Sequence, residues 1–165
     1  ARFLAILQTL YLVDEVPAWC SGDYGRLNKR SKYFAADTGM IAAVLGWKEG
    51  DVYLDSDRSG KLVESWVYNQ PVAQLDLDPN GSIYQYRDRQ KREIDFIVES
   101  DDGSRLGIEV KAGSDVGEED FRHLKWFRDN LAKDKPFVGI VAYTGETTLP
   151  FGKDLYAVPM GAICG

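Results

Sequence analysis

Four charged residues stand at spacings that could assemble a site for a hard cation. Asp95 lies in the run EIDFIVE, Glu109 and Lys111 follow in RLGIEVKAG, and Glu64 lies upstream in GKLVESWV. Paired carboxylates supply the oxygen ligands that Mg²⁺ prefers, and a neighbouring lysine can neutralise charge developing on a phosphoryl oxygen. A cation so bound could polarise a substrate oxygen or lower the pKa of a water.

Whether these groups meet depends on the strands that carry them. In EIDFIVE, alternation puts Ile94, Phe96 and Val98 on one face and Asp95 and Ile97 on the other; in LGIEVKAG, Leu106, Ile108 and Val110 share a face opposite Gly107, Glu109 and Lys111. A turn centred on Asp102 pairs Glu99 with Arg105 and sets Asp95 opposite Glu109. Opposed residues have Cβ atoms about 4.5–5.5 Å apart, and like charges there are destabilising. Lys111 would offset part of that repulsion, and a divalent cation accepting both carboxylates would offset it fully. A one-residue slip would turn the apolar set outward, so the register is constrained. A hairpin with a solvated outer face accounts for the same residues. Against it, LGIEV is followed by a helix and an apolar strand, which cover both faces, and charges on a covered face need partners or metal.

The remaining segments frame this hairpin. Apolar periodicity predicts a helix over 2–12, then a short strand over 12–16 ended by Pro17. Residues 20–32 read as a loop with a basic patch of Arg26, Lys29, Arg30 and Lys32. A strand over 32–36 leads to a helix capped by Asp37 and stopped at Gly46, and 47–60 reads as turn-rich surface. The helix carrying Glu64 is expected over 61–73, capped by Ser59, with Pro71 near its end. Strands over 82–87, 93–99 and 105–111, separated by turn signals such as DPNG and SDDGS, form an antiparallel meander. An amphipathic helix over 118–132 and an apolar strand over 137–143 form a crossover into a parallel pair, with a last strand over 155–158. The fold class is α/β of the α+β kind: a mixed sheet, antiparallel meander plus parallel crossover strand, flanked by helices.

A chain of 165 residues with 44% hydrophobic content can bury one sizeable core. The net charge of −6 argues against a general nucleic-acid binder while leaving room for a local basic groove. Arg87, Arg89, Lys91 and Arg92, just before the Asp95 strand, are the candidates for phosphate contact; a soluble turn is the other reading of that run. Trp66, Tyr68, Tyr84, Tyr86 and Trp126 fall at core or rim positions, and His123, without a second histidine to share a metal, receives no catalytic role. Cys20 and Cys164 stand in no ligand or disulfide pattern, and no membrane span or cleavable leader is visible, so a cytoplasmic location is expected. The chain opens inside an apolar periodic segment, as a piece of something longer would.

Asp95 followed by Glu109-Val110-Lys111 resembles the PD-(D/E)XK motif of restriction-endonuclease-like nucleases, with Ile94 standing where the motif has proline and GKLVESWV resembling the first core helix. Over nearly the whole chain, KYFAADTGMIAAVLG, GKLVESWVYNQ, YQYRDRQKREIDFIVE and LGIEVKAG resemble the C-terminal domain of unknown function attached to predicted prokaryotic AAA+ ATPases. The resemblance implies a restriction-endonuclease-like core over 31–165, with 1–30 the end of a preceding winged-helix segment. It implies Mg²⁺ or Mn²⁺ held by Asp95, Glu109, Glu64 and the Val110 carbonyl, with Lys111 as the charge-neutralising group. DNA and an upstream ATPase domain are the implied partners. The implied activity is metal-dependent phosphodiester hydrolysis, or else a catalytically silent nuclease-fold module serving the ATPase. No G-x-x-x-x-G-K-[ST] occurs, so no ATP site is assigned to this chain.

Overall fold

The computed structural model describes residues 2–21, 30–75 and 81–163. Part of the basic loop (Arg26 and Lys29), most of the DPNG turn and Cys164 lie outside the described residues. Helix α1 (Arg2–Thr9) leads into β1 (Val13–Val16), which pairs antiparallel with β2 (Lys32–Ala35) in a small sheet of its own. Among the described residues the apolar face of α1 is poorly covered: Phe3 is 85% and Ile6 49% exposed. Helix α2 (Thr38–Leu45) starts where expected, with the Asp37 carboxylate accepting from the Met40 N–H at 2.6 Å, and stops at Gly46 in the left-handed region, φ 66°.

The segment expected to be turns is largely helical. Helix α3 (Glu49–Leu54) occupies it, and the Glu64 helix, α4 (Ser56–Leu75), begins three residues before Ser59. Its cap is Asp55, whose Oδ1 accepts from the Asp57 and Arg58 N–H groups at 3.0 and 3.3 Å. The glycines and aspartates of this stretch read as turn formers, yet an acidic residue at a helix start satisfies orphan N–H groups and complements the helix dipole.

The main sheet has the order β3-β4-β5-β6-β8-β7. Strands β3 (Ser82–Arg87), β4 (Glu93–Glu99) and β5 (Arg105–Lys111) form the antiparallel meander. A 3-10 turn (Glu118–Phe121) and helix α5 (Arg122–Asn130) then cross to β6 (Phe137–Tyr143), parallel to β5, so the long helix expected here is split in two. The two-residue β7 (Leu149–Pro150) pairs antiparallel with β8 (Leu155–Pro159), which lies parallel to β6; helix α6 (Met160–Ile163) follows. Neither β7 nor α6 was expected. Among the described residues no helix is long and apolar enough to cross a membrane.

Both faces of the sheet are packed. On one, Val67 and Tyr68 of α4, Phe34 of β2 and Met160 meet Phe96 and Ile108; on the other, Phe121, Leu124 and Phe127 meet Ile97, Val141 and Leu155. Ile94 belongs to the second group, not to the face of Phe96 as uninterrupted alternation requires. The cause is a β-bulge: β4 pairs Ile97 with Tyr84 but Ile94 with Tyr86, so Asp95 and Phe96 together oppose Gln85.

Helix α5 packs over Gly107 and Gly139, which are partners on adjacent parallel strands. A Cβ at Gly107 would come within 2.8 Å of Leu124 and Phe137, and one at Gly139 within 2.6 Å of Leu155. This trough lets Leu124 of α5 pack directly against the two strands. Gly107→Ala is therefore expected to destabilise the domain by about 1–3 kcal/mol through overpacking, read as a lowered denaturant midpoint with an unchanged slope.

Candidate metal and phosphodiester site

The β4–β5 ladder runs from Glu99↔Arg105 to Phe96↔Ile108, the register expected from alternation, and so brings Asp95 level with Glu109. Beyond that rung the main chains part. The Val110 N–H finds its acceptor in the Asp95 carboxylate, Oδ2, at 2.9 Å. A buried N–H must be paired, so the bulged strand delivers a side-chain oxygen where its backbone cannot reach.

Asp95, Glu109 and Lys111 line one cavity of about 400 Å³ together with Glu93, Asp120 and His123. Lys111 does not approach the facing carboxylates. Its Nζ lies 2.7 Å from Asp120, whose carboxylate also accepts from the Gly117 N–H at 2.8 Å. Burial pushes Asp120 up, but the Gly117 N–H and the Lys111 ammonium together outweigh it and hold the group below the usual range. Glu109 moves the opposite way: burial first, then the neighbouring Asp95 carboxylate, push it well above its ordinary value.

Glu64 does not line this cavity; it borders a neighbouring cleft with Lys32 and Lys61. Lys32 connects the two. Its Nζ lies 3.0 Å from Glu64, 3.0 Å from Glu93 and 3.4 Å from Asp95 Oδ1. Burial alone would push Lys32 down, yet the attraction of Asp95 and Glu64 prevails and holds it well above its usual value. Burial and the charge of Asp95 raise Glu64 despite this contact.

Three participants were not assigned by sequence reasoning. Lys32 looked like one member of a basic loop, and nothing in its local pattern points 63 residues ahead to Asp95. Asp120 and His123 arrive with the turn and helix that the glycine trough admits. His123 Nδ1 lies 2.9 Å from the Glu93 carbonyl oxygen and 3.6 Å from Glu109 Oε1, which puts the ring inside the site rather than on a solvated helix face.

The basic run is divided. Arg92 is tied into the fold, its Nη1 2.9 Å from Asp88 and its guanidinium 4.0 Å above the Trp126 ring. Arg87 reaches Glu93 Oε2 at 3.8 Å. Arg89 and Lys91 are exposed in the β3–β4 turn, at the same end of the sheet as the cavity.

Among the described residues, no three His, Cys, Asp or Glu side chains are grouped to hold a metal ion. In chemistry the donors suit a hard divalent cation, being carboxylate oxygens with an amide carbonyl neighbour. Two of these donors, Glu64 and Asp95, already face the Lys32 ammonium, which Glu93 shares.

The raised carboxylates set a pH dependence. A folded state that holds a proton more tightly than the unfolded chain loses stability as pH climbs from the ordinary glutamate value, about 4.3, through the folded value. Denaturant midpoints are accordingly expected to be lower at about pH 8 than at about pH 5.5. Glu109→Gln should shrink that difference and, at the higher pH, stabilise the metal-free protein by up to about 1 kcal/mol, the scale of one relieved cross-strand repulsion. Urea titrations of both proteins at the two pH values give the answer.

The chain is similar to two curated proteins, the uncharacterized protein Rv2008c of Mycobacterium tuberculosis and the uncharacterized protein Mb2031c of Mycobacterium bovis, each 28% identical over 98% of this chain. The chain spans 35% of the length of either relative. No solved structure matches it. The family model described as "Domain of unknown function (DUF4143)" matches residues 59–163, from α4 through α6, and so takes in Glu64, Asp95, Glu109 and Lys111. By that match the chain belongs to the DUF4143 family.

Proposed function

We propose that this domain is a nuclease-type module of the PD-(D/E)XK kind, acting on DNA phosphodiesters with Mg²⁺ or Mn²⁺ as part of a longer ATPase. The observation that carries the reading is the placement of Asp95 against Glu109 and the Val110 N–H at the C-terminal end of β5, with Lys111 on the same cavity wall. Stability alone does not call for facing acids there, and groups with displaced pKa values cluster at functional sites. The order of helix with Glu64, bulged strand with Asp95, E-x-K strand, crossover helix and parallel strand resembles the restriction-endonuclease-like core.

In this reading Asp95, Glu109 and Glu64 hold the cation, with Val110 beside them. When bound, the cation polarises the phosphoryl oxygen and lowers the pKa of water. The chain itself supplies position and charge. The Val110 N–H fixes one oxygen of Asp95. Asp120 holds the Lys111 ammonium at the cavity wall, where it can meet charge developing on a phosphate. Arg89 and Lys91 are placed to meet the flanking backbone of the nucleic acid.

A second reading, a catalytically silent module that binds nucleic acid or protein for a parent ATPase, is favoured by a different observation. Both lysines near the acids are already paired within the chain, Lys32 with three carboxylates and Lys111 with Asp120.

Asp95→Asn separates the readings, because the amide oxygen can still accept from Val110 while one anionic ligand is lost. The expected outcome is Mg²⁺- or Mn²⁺-dependent cleavage of plasmid or single-stranded DNA by the native protein. The variant should lose it by on the order of 100-fold or more, the scale for removing one charge-stabilising group. Cleavage that survives the substitution would refute catalysis at this site. DNA binding without cleavage at any cation concentration would favour the silent module.

A further inference from the structure

We infer that Lys32, on β2 outside the main sheet, is the built-in counter-cation of the acidic site, and that a divalent ion must displace its ammonium in order to bind. The inference rests on the cation-site reading above and concerns how that site is kept and opened.

Its basis is geometric. One Nζ reaches carboxylate oxygens from two separate elements, Glu64 of α4 at 3.0 Å and Glu93 and Asp95 of β4 at 3.0 and 3.4 Å. This is the role a metal would take, that of a compact positive charge shared among converging oxygen donors. An ammonium and a divalent ion cannot share the same oxygens without strong repulsion. The lysine is only partly enclosed, its side chain 29% exposed, so it can swing out to solvent on its flexible stem. Strand β2 reaches the main domain through Phe34, which stacks on Tyr68 and packs against Phe96. The backbone can thus stay anchored while the ammonium departs.

Lys32 also lies before residues 59–163, the span matched by the family model. The small β1–β2 sheet therefore contributes a charge to a site whose acids all come from the matched span. Whatever shifts β2 alters the cation affinity of the pocket.

Two measurements on the 165-residue chain test this. In the first, MnCl₂ is titrated calorimetrically into the native protein and into Lys32→Gln, and the variant should bind Mn²⁺ roughly threefold or more tightly. Equal or weaker binding by the variant overturns the role of Lys32 and leaves the cation site standing. Absence of Mn²⁺ binding by both proteins overturns the site reading and this inference together. The second uses only the native protein, so it holds even if the variant does not fold. Acetic anhydride labelling read by mass spectrometry should show Lys32 acetylated faster with saturating Mn²⁺ than without, relative to the exposed Lys61. Unchanged or slower labelling of Lys32 overturns the inference.

Discussion

Asp95 sits where β4 stops pairing with β5, and its carboxylate takes the Val110 hydrogen bond that the ladder would otherwise supply. Much of the local architecture follows from that one bond. It closes the end of the hairpin, so the bulge is compatible with a satisfied backbone. Burial, together with the carboxylate so fixed beside it, makes Glu109 hold its proton more tightly than a free glutamate would. An acid so placed has to be neutralised by a proton, by a lysine or by a metal. Lys32 supplies part of that compensation.

The neutralisation is arranged in two separate compartments. Lys32 serves Glu64, Glu93 and Asp95, and Lys111 serves Asp120, which the Gly117 N–H also holds. Among the described residues no single ammonium reaches all the acids, and burial and the Asp95 carboxylate raise the pKa of Glu109. Partly buried ion pairs of this kind add little net stability, because desolvation offsets most of the attraction. Removing one partner is another matter, since it strands the remaining charge in a poorly solvated place. The lysines are best understood as what permits the acids to coexist.

The strands of the meander and the parallel strand β6 were legible because apolar alternation and turn residues mark them, and the Glu99↔Arg105 rung followed from the same pattern. Ile94 was misplaced for the same reason that Phe96 was placed correctly. Alternation presumes an unbroken pleat, and the bulge at Asp95 and Phe96 inserts one residue. Helix α3 was hidden by Gly50 and the surrounding aspartates, and the start of α4 by a cap at Asp55 rather than Ser59. Of the site, the cross-strand acids were readable, while Lys32, Asp120 and His123 depend on tertiary approach. Gly107 and Gly139 were the available signal for that approach. Two glycines in strands otherwise rich in large apolar residues mark a place where something packs against backbone.

The same electrostatics bear on how a polyanion could approach. The pocket is acidic, the chain carries −6 overall, and Arg92 is committed to Asp88 and Trp126. The exposed basic groups at this end of the sheet include Arg89 and Lys91, in a turn beside the cavity rather than within it. A phosphate drawn to that turn would still meet repulsion from Glu93, Asp95 and Glu109 as it entered. In the proposed reading a divalent ion on those oxygens would offset most of that repulsion. If it displaces the Lys32 ammonium as inferred, that group would add a positive charge at the rim of the cleft it leaves. Under the proposed reading, loading the acids and admitting a phosphodiester would be the same electrostatic event, and a domain with this net charge would need no broad basic face to receive DNA.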